Sequence, residues 1–348
     1  MEHRKNRRQQ QRNKMLLIAA GVLILLILAI VGVTTGVFGK TGIFRRQKAS
    51  QSGDGSEGST SYSSTSSAAD SIVYDGKKYA YNDHLTNYLL LGVDTTGSIQ
   101  DKKEVGHAGQ SDSIFLVSYD RVEEKTVGIA IPRDTITQIE RFTSDGTSAG
   151  FSSDHLNLQY AYGDGRFKSC ELTAAAVSRL MSGIPINGYA AINLDSISQL
   201  SELLGGVEIV VPDDSLAEKD PAFVKGNTVI LDASNTELFI RSRDTSVQQS
   251  AIVRMNRQKV FLEAFAEKAA QEQKKDASTV TTIYETMKPQ MVTTMCTDVF
   301  ADLAVAKRSG GVQTIPGESG HEGAYDVYRV DEASLYEMIV SIFYKEVP

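Results

Sequence analysis

Five arginines in three short segments are the residues of this chain best suited to do chemistry. They are Arg133 in VGIAIPRDT, Arg241 and Arg243 in FIRSRD, and Arg254 and Arg257 in RMNRQ. A guanidinium presents a rigid fork of donors that matches phosphate oxygens two at a time. One phosphate does not need so many forks, so the set favours a diphosphate. Taken singly, each arginine is better explained by an ion pair with a surface acid, and spacing alone leaves the choice open.

Two aspartates suit a magnesium ion beside such an anion. Asp94 ends the segment NYLLLGVD, and Asp112 directly precedes SIFLVSYD. Mg²⁺ is usually held by one or two carboxylates together with substrate phosphates. Zinc is not expected, because the five histidines are scattered without the spacing of a zinc site.

The elements that must position these residues alternate between strands and helices. Short apolar runs rich in β-formers predict strands at 87–94, 113–120 and 127–131. Helical spacing of apolar residues predicts helices at 172–182 and 195–204, and a third near the carboxyl end behind Asp331 as its cap. The pattern predicts an α/β fold, with a mixed central sheet and helices on both faces.

Ligands of open α/β sheets bind outside the carboxyl ends of the strands. Pro132 ends the third strand because it has no N–H to donate, and Arg133 and Asp134 follow at once. The charge pair therefore lies where a ligand is expected. Farther along, Arg241 and Arg243 are predicted on one side of an extended segment. In the last segment, Arg254, Arg257 and Gln258 are predicted on one helix face.

The first 71 residues differ from the rest of the chain. Residues 1–14 carry six Lys and Arg against one acid, which predicts a cytoplasmic basic tail. Residues 15–39 form an uncharged run long enough for a single transmembrane signal anchor, and too long for the apolar region of a cleaved signal peptide. The Ser- and Gly-rich stretch 40–71 is interpreted as a flexible linker. Residues 72–348 are then expected to fold outside the cell membrane.

Charge argues against nucleic acid as a partner. Of the 36 Lys and Arg in the chain, six lie in the basic tail, which leaves 30 against 42 Asp and Glu in residues 15–348. Such an acidic surface repels nucleic acid. The two cysteines, Cys170 and Cys296, are too few for a disulfide scaffold, and whether they pair is left open.

Several motifs in register resemble the LytR-CpsA-Psr family. They are LLLGVD, GQSDSIFLVSYD, VGIAIPRDT, LNLQYAYGDG, GIPINGYAAINLDSISQLSELLGGVEIVVP, RSRD and RMNRQ, and they cover about residues 85–270. The resemblance implies an α/β sandwich with a lipid slot, anchored outside a Gram-positive cell, with residues 271–348 packed on the same domain. It also implies a Mg²⁺-dependent phosphotransferase. This enzyme would move a teichoic acid, capsular or other wall glycopolymer from a polyprenyl diphosphate to peptidoglycan.

The resemblance also implies roles for single residues. Asp94 and Asp112 resemble the Mg²⁺ ligands of the family. The residues that resemble its diphosphate clamp are Arg133, Arg241, Arg243, Arg254 and Gln258, to which we add Arg257 and Gln110 as predicted binding residues. The predicted catalytic set is Arg133, Asp134, Arg243 and Arg254. Apolar residues of the helices 172–182 and 195–204 are candidates for the lipid slot, although core packing explains each of them equally well.

Four positions depart from the family pattern: Gln110, Ile136, His155 and Ala251. Gln110 replaces an arginine and keeps only a hydrogen bond to the diphosphate. Ile136 lies in a stretch where some members carry a further arginine, and His155 replaces a lysine that is frequent in the family. Ala251 replaces an aspartate, so a proton acceptor for the sugar hydroxyl must come from elsewhere, with Asp134 and Asp244 the nearest in sequence.

Two further functions fit the same residues. Water could attack the same diphosphate, which would make the protein a hydrolase. A binding protein without chemistry could hold the lipid or the polymer as a wall scaffold, although paired metal carboxylates argue against this reading. Residues 316–330 are interpreted as a surface loop, with an acceptor groove as the alternative.

Overall fold

The computed structural model describes residues 70–95, 104–193, 196–244, 246–323 and 325–348. The predicted tail 1–14, the signal anchor 15–39 and nearly all of the linker 40–71 lie outside these residues. Among the helices of the described residues, none has both the length and the apolar character needed to cross a membrane.

The strands are short and fall mainly in the first and last thirds of the described chain. They are β1 (Ser71–Tyr74), β2 (Lys77–Tyr81), β3 (Leu85–Val93), β4 (Ser111–Asp120), β5 (Lys125–Ala130), β6 (Ile136–Phe142), β7 (Ser148–His155), β8 (Gly188–Asn193), β9 (Val207–Val210), β10 (Thr228–Leu231), β11 (Met291–Thr293), β12 (Lys307–Arg308), β13 (Gln313–Thr314), β14 (Gly317–Glu322), β15 (Tyr325–Val330) and β16 (Tyr344–Val347).

The helices connect and cover these strands. They are α1 (Phe167–Leu180), α2 (Ile197–Leu203), α3 (Thr236–Arg241), α4 (Ser250–Lys275), α5 (Thr279–Met287), α6 (Thr297–Val305) and α7 (Glu332–Phe343), with 3-10 turns at Leu156–Tyr162 and Lys288–Gln290. The predicted cap of the last helix is present, because the Asp331 side chain accepts a hydrogen bond from the Ser334 amide at 3.1 Å. The three predicted strands and three predicted helices are all found, with ends that differ by a few residues.

The central sheet is mixed, as predicted. Its order is β11, β8, β3, β4, β5, and both β12 and β13 pair with β5. Strands β3, β4 and β5 form an antiparallel meander, whereas β8 runs parallel to β3. The carboxyl ends of β3, β5 and β8 therefore meet the amino end of β4 at one edge of the sheet.

Helices cover both faces of this sheet, which confirms the layer prediction. Strand β3 shows why, because Tyr88 and Leu90 belong to one buried cluster whereas Leu89 and Leu91 belong to the other. Alternate side chains of a strand point to opposite faces, so a strand apolar at every position needs cover on both sides. Helices α2 to α6 contribute to the first cluster, and α1 and α7 contribute to the second.

Two antiparallel hairpins extend beyond the central sheet. One pairs β6 with β7, and the other pairs β14 with β15. The second hairpin occupies most of 316–330, so the loop predicted there is wrong. The two strands of this hairpin pair with each other, and His321 lies opposite Asp326. A parallel bridge between Thr135 and Tyr328 also joins strand β15 to the turn that follows β5.

The two cysteines do not form a disulfide. Cys170 is buried in the second cluster, and Cys296 is exposed at the start of α6.

We expect the central strand β4 to set the stability of the fold. Val117→Ala removes two methyl groups from a fully buried side chain, which costs about 2 to 3 kcal/mol from lost burial and the cavity left behind. Val73→Ala makes the same change on β1, where the side chain is 72% exposed. Urea unfolding of the two variants should show a large loss for Val117→Ala and a change within about 0.5 kcal/mol for Val73→Ala. Equal losses would contradict the assigned burial.

Candidate active site

The charged residues predicted at the strand ends meet at one edge of the central sheet. Asp94 follows β3, Asp112 is the second residue of β4, and Arg133 follows β5 after Ile131 and Pro132. A backbone hydrogen bond from the Asp94 amide to the Gln110 carbonyl at 3.1 Å ties the first two segments together. The antiparallel pairing of β4 with both neighbours brings these side chains to the same place, although they are far apart in sequence.

A glycine permits this close approach of the two segments. Gly109 has φ +90°, and a Cβ there would lie 2.5 Å from the Thr95 side chain and 3.0 Å from Asp94 Oδ1. Any other residue would be both strained and obstructed. The next amide, of Gln110, donates to Asp94 Oδ1 at 2.7 Å and fixes that carboxylate.

The carboxylate of Asp112 is shared by two arginines. Arg133 Nη1 donates to Oδ1, and Arg254 Nη1 donates to Oδ2 at 2.9 Å. All three side chains are largely buried. Arg133 comes from the end of β5 and Arg254 from the second turn of α4, so this triad attaches the helix to the edge of the sheet. The predicted ion pair is also present, with Arg133 Nε 3.1 Å from Asp134 Oδ1.

The buried guanidiniums carry more donors than the protein satisfies. Burial lowers the pKa of Arg254 to about 10, and the positive charge of Arg243 acts in the same direction. Burial also lowers the pKa of Arg133, with Asp134 opposing the shift. Nε and Nη2 of Arg254 have no hydrogen-bond partner. Because an unsatisfied buried charge is costly, the arrangement favours an anion that accepts from these donors.

The contacts of Arg257 favour a structural role rather than the predicted place in the clamp. Its Nε donates to the Phe239 carbonyl at 2.9 Å, and its terminal nitrogens reach Ser215 Oγ and the Ser242 carbonyl. Gln258 likewise donates to the Ile240 carbonyl at 3.0 Å. These bonds hold the segment that carries Arg241 and Arg243 against α4. As predicted, Arg254, Arg257 and Gln258 lie on one helix.

The segment around Arg241 is not extended, so that prediction is wrong. Arg241 is the last residue of α3, and its Nη1 lies 2.6 Å from Glu237 one turn earlier. The sequence TELFIR can form either element, and burial of Phe239 and Ile240 against the first cluster selects the helix. Arg243 follows the helix and lines a cavity, whereas Arg241 pairs with Glu237 and is not among the residues that line it.

A cavity of about 550 Å³ opens beside the triad. From the strand ends and the turn after α3 it is lined by Gln110, Arg133, Asp134 and Arg243, and from the two hairpins and the turn after β7 by Asp154, His155, Asn157, Leu158, Tyr325 and Asp326. Sequence reasoning did not single out Asp154, Asn157, Tyr325 or Asp326. Asn157 lies within a quoted motif, but only the fold brings β7 and β15 to the arginines.

The structure shows the contacts of two positions that depart from the family pattern, Gln110 and Ala251. Gln110 Oε1 accepts from Arg133 Nη2 and from Asn157 Nδ2, each at 2.8 Å, so this side chain orients Arg133. An arginine at this position could not accept these bonds. Ala251 is buried in the first turn of α4. Of the two aspartates considered in its place, Asp134 lines the cavity, whereas Asp244 is exposed and accepts from Ser246.

The two predicted metal ligands fit Mg²⁺ by their chemistry. Both offer carboxylate oxygens at the same edge of the sheet, beside donors suited to phosphate. Within the described residues no group of three or more His, Cys, Asp or Glu side chains could hold a metal ion. Mg²⁺ does not require one, because it takes its remaining ligands from phosphates and water. Asp112 already accepts from two guanidiniums, so an ion would use its remaining lone pairs and those of Asp94.

The fold and the site together define a class of protein. It is an α/β protein with a cluster of buried arginines at the strand ends of a mixed sheet. The sequence profile of the LytR_cpsA_psr family matches residues 48–341. The chain therefore belongs to this family, as the motifs predicted.

Relatives of known name agree with this assignment. The chain is 30% identical over 185 residues to the polyisoprenyl-teichoic acid–peptidoglycan teichoic acid transferase TagU of Halalkalibacterium halodurans, a match that covers 53% of each chain. It is 26% identical over 242 residues to TagU of Bacillus mycoides, covering 69% of this chain and 71% of the relative. The match thus spans about half the length of the first of these relatives.

Solved structures share the fold. A structure of TagT bound to LI-WTA superposes with a TM-score of 0.54 at 20% identity, covering 74% of this chain and 88% of that one. A Streptococcus agalactiae protein gives a TM-score of 0.58 at 19% identity, covering 74% of this chain and 87% of that one. At this level of identity the likeness concerns the fold alone.

We expect Arg254 to dominate binding of inorganic pyrophosphate. A ligand present at one hundred times its Kd stabilises a protein by about 2.7 kcal/mol, which thermal unfolding detects. Arg254→Gln should remove most of this stabilisation, because it deletes two donors that have no protein partner. Arg179→Gln is the matched control, since Arg179 lies on α1 across the sheet. An undiminished pyrophosphate shift in Arg254→Gln would contradict the proposed anion site.

Proposed function

We propose that this protein is a membrane-anchored, Mg²⁺-dependent phosphotransferase that moves a wall glycopolymer from a polyprenyl diphosphate to peptidoglycan. The observation that carries the proposal is the buried triad of Arg133, Asp112 and Arg254, in which two Arg254 donors lack partners. The names of the TagU relatives, which are teichoic acid transferases, support the reaction class. Teichoic acid is the polymer that these names favour over a capsular polysaccharide.

The reaction is a displacement at phosphorus. A sugar hydroxyl of the acceptor forms a bond to the phosphorus that carries the glycopolymer, the bond from that phosphorus to the bridging oxygen breaks, and polyprenyl phosphate leaves. Arg133, Arg243 and Arg254 bind the diphosphate oxygens and stabilise charge as it develops. Mg²⁺ held by Asp94 and Asp112 would supply further neutralisation of that charge.

The hydroxyl proton needs an acceptor within the cavity. Asp134 lines the cavity, and its Oδ1 accepts from Arg133 Nε at 3.1 Å. This contact holds the carboxylate beside the bound diphosphate and leaves Oδ2 available to the hydroxyl. We assign Asp134 as the proton acceptor in place of the aspartate that Ala251 replaces. Arg133 thus has two functions, because it binds the diphosphate and orients Asp134.

The polyprenyl chain would enter between the sheet and the helices of its first face. An apolar pocket of about 40 Å³ lies there, lined among others by Leu90, Phe115, Ile197, Phe261 and Leu262. Gln258, one turn after Arg254, lines the same pocket and links it to the triad. On the same measure one water needs about 10 to 15 Å³, so the pocket has room for only a few waters, and these side chains must move apart to admit an isoprenoid.

Only one of the two helices considered for this slot fits. Ile197 of α2 lines the apolar pocket. Helix α1 instead packs in the second cluster, on the opposite face of the sheet, where Cys170, Ala176 and Val177 are fully buried. The apolar residues of α1 therefore serve the core.

We expect Asp112→Asn and Arg243→Ala each to reduce transfer by a factor of a hundred or more. The first removes the charge shared by Arg133 and Arg254, and the second removes a cation from the cavity. Losses of about that size follow deletion of a single group that stabilises a transition state. The assay supplies a labelled glycan on polyprenyl diphosphate, peptidoglycan strands and Mg²⁺, and follows label into the peptidoglycan. EDTA should abolish the signal, and excess Mg²⁺ should restore it.

Arg121→Ala is the matched control for this assay. Arg121 follows β4 at the opposite edge of the sheet and donates to the His84 and Asp83 carbonyls. Parental transfer by Asp112→Asn or Arg243→Ala would show that the site is wrong. Label released as a free sugar phosphate would indicate the hydrolase, and a bound but unchanged substrate would indicate the scaffold.

A further inference from the structure

The cavity extends well beyond the arginines, and its second part is built by the two hairpins. We propose that Tyr325, Asp154 and Asp326 form the subsite for the acceptor glycan, an uncharged saccharide rich in hydroxyl groups. This inference rests on the proposed function and assigns its second substrate to residues outside the diphosphate site. The same three residues distinguish the acceptor from the anionic donor polymer.

The hairpin that carries Tyr325 is bonded directly to the turn after β5, which contains Arg133 and Asp134. The Tyr328 amide donates to the Asp134 carbonyl at 2.8 Å, and the Tyr328 hydroxyl donates to the Ile315 carbonyl at 2.6 Å. Asp326 lies two residues before Tyr328 and lines the cavity. A saccharide held by β15 would therefore lie beside the Arg133–Asp134 pair, where its hydroxyl must react.

His155 lines the cavity and joins the two hairpins. Its Nδ1 lies 3.1 Å from Asp154 Oδ1, and its Nε2 lies 2.9 Å from the Asp326 carbonyl oxygen. The ring also contacts Tyr325 edge to face, with centroids 6.4 Å apart. On the outer side His321 Nδ1 lies 2.9 Å from Asp326 Oδ1. These contacts hold the subsite in one shape before a ligand arrives.

Two side chains of the cavity lining, those of Tyr325 and Asn157, have groups available to contact a ligand. Tyr325 is 71% exposed although it lines the cavity, and a tyrosine ring offers an apolar face together with a polar hydroxyl. A pyranose has a matching apolar C–H face and polar edge. Asn157 is only 1% exposed and lines the same cavity, yet its Oδ1 has no partner while its Nδ2 donates to Gln110. A buried amide oxygen without a donor points to a hydroxyl supplied by the ligand.

The charges of the side chains that line the subsite favour an uncharged saccharide. Arg133 and Arg243 supply the cations of the cavity, whereas the residues that the hairpins contribute include the carboxylates of Asp154 and Asp326. Carboxylates accept hydrogen bonds from hydroxyl groups and repel phosphates. A teichoic acid donor carries a phosphate in each repeat, so it is disfavoured beside the hairpins. An uncharged acceptor glycan does not meet this repulsion.

The test separates the KM for the acceptor from the KM for the donor in the full-length protein. Tyr325→Ala should raise the acceptor KM by about ten-fold or more, as expected for losing one aromatic anchor. The donor KM and the pyrophosphate-induced thermal shift should stay at the parental values. Tyr325→Phe keeps the ring and should restore most of the acceptor affinity, and Asp154→Asn should raise the acceptor KM alone. Phe151→Ala is the matched control, because Phe151 is an exposed aromatic on β7 outside the cavity lining.

A direct binding measurement keeps this inference separate from the proposed function. The probe is N-acetylchitotetraose, an uncharged glycan, and its binding is followed by saturation-transfer NMR. Loss of the signal in Tyr325→Ala would support the subsite even if no transfer were found, and only the proposed function would then fail. Absence of binding by the parental protein, an unchanged acceptor KM in Tyr325→Ala, or a rise in the donor KM alone would overturn the subsite.

Discussion

The carboxylate of Asp112 is the interaction on which the site depends. It lies between Arg133 from the sheet and Arg254 from α4, and the three side chains are largely buried. Each charge loses hydration on burial, so none of the three is stable there without the others. Strand β4 supplies the carboxylate, and its antiparallel neighbours on either side supply the segments of Asp94 and Arg133. The central meander thereby determines the positions of Asp94, Asp112 and Arg133, whereas α4 and the turn after α3 supply Arg254 and Arg243.

The arginines of α4 and of the turn after α3 have different tasks. Arg257 uses its donors on the backbone of 239–242 and on Ser215, and so anchors the turn after α3. Arg254 has donors without partners, and the nearby cation of Arg243 adds to the effect of burial in lowering the pKa of Arg254. Such a site gives up some stability in the absence of ligand, which an anion restores on binding. The energetic conflict among buried like charges is the reason to expect specific binding of a diphosphate.

The hairpins contribute a second layer to the cavity. They lie outside the central sheet. The second hairpin contacts the turn after β5 through the bridge between Thr135 and Tyr328, and His155 joins the two hairpins to each other. In the proposed function this arrangement separates two tasks, since the strand ends would hold the phosphates and the hairpins present aromatic and acidic side chains. A change in hairpin sequence could therefore alter the acceptor without disturbing the diphosphate site.

The sequence by itself determined the three meander strands of the sheet, the helix that carries Arg254, and the charged residues at the strand ends. These follow from local periods of two and 3.6 residues and from the missing amide of Pro132, none of which needs a distant partner. Only the tertiary structure decided that Arg241 ends a helix, that Arg257 faces backbone carbonyls, and that Asp154 and Tyr325 reach the cavity. Strand β7 and strand β15 meet through packing between segments more than 160 residues apart, which no local pattern encodes.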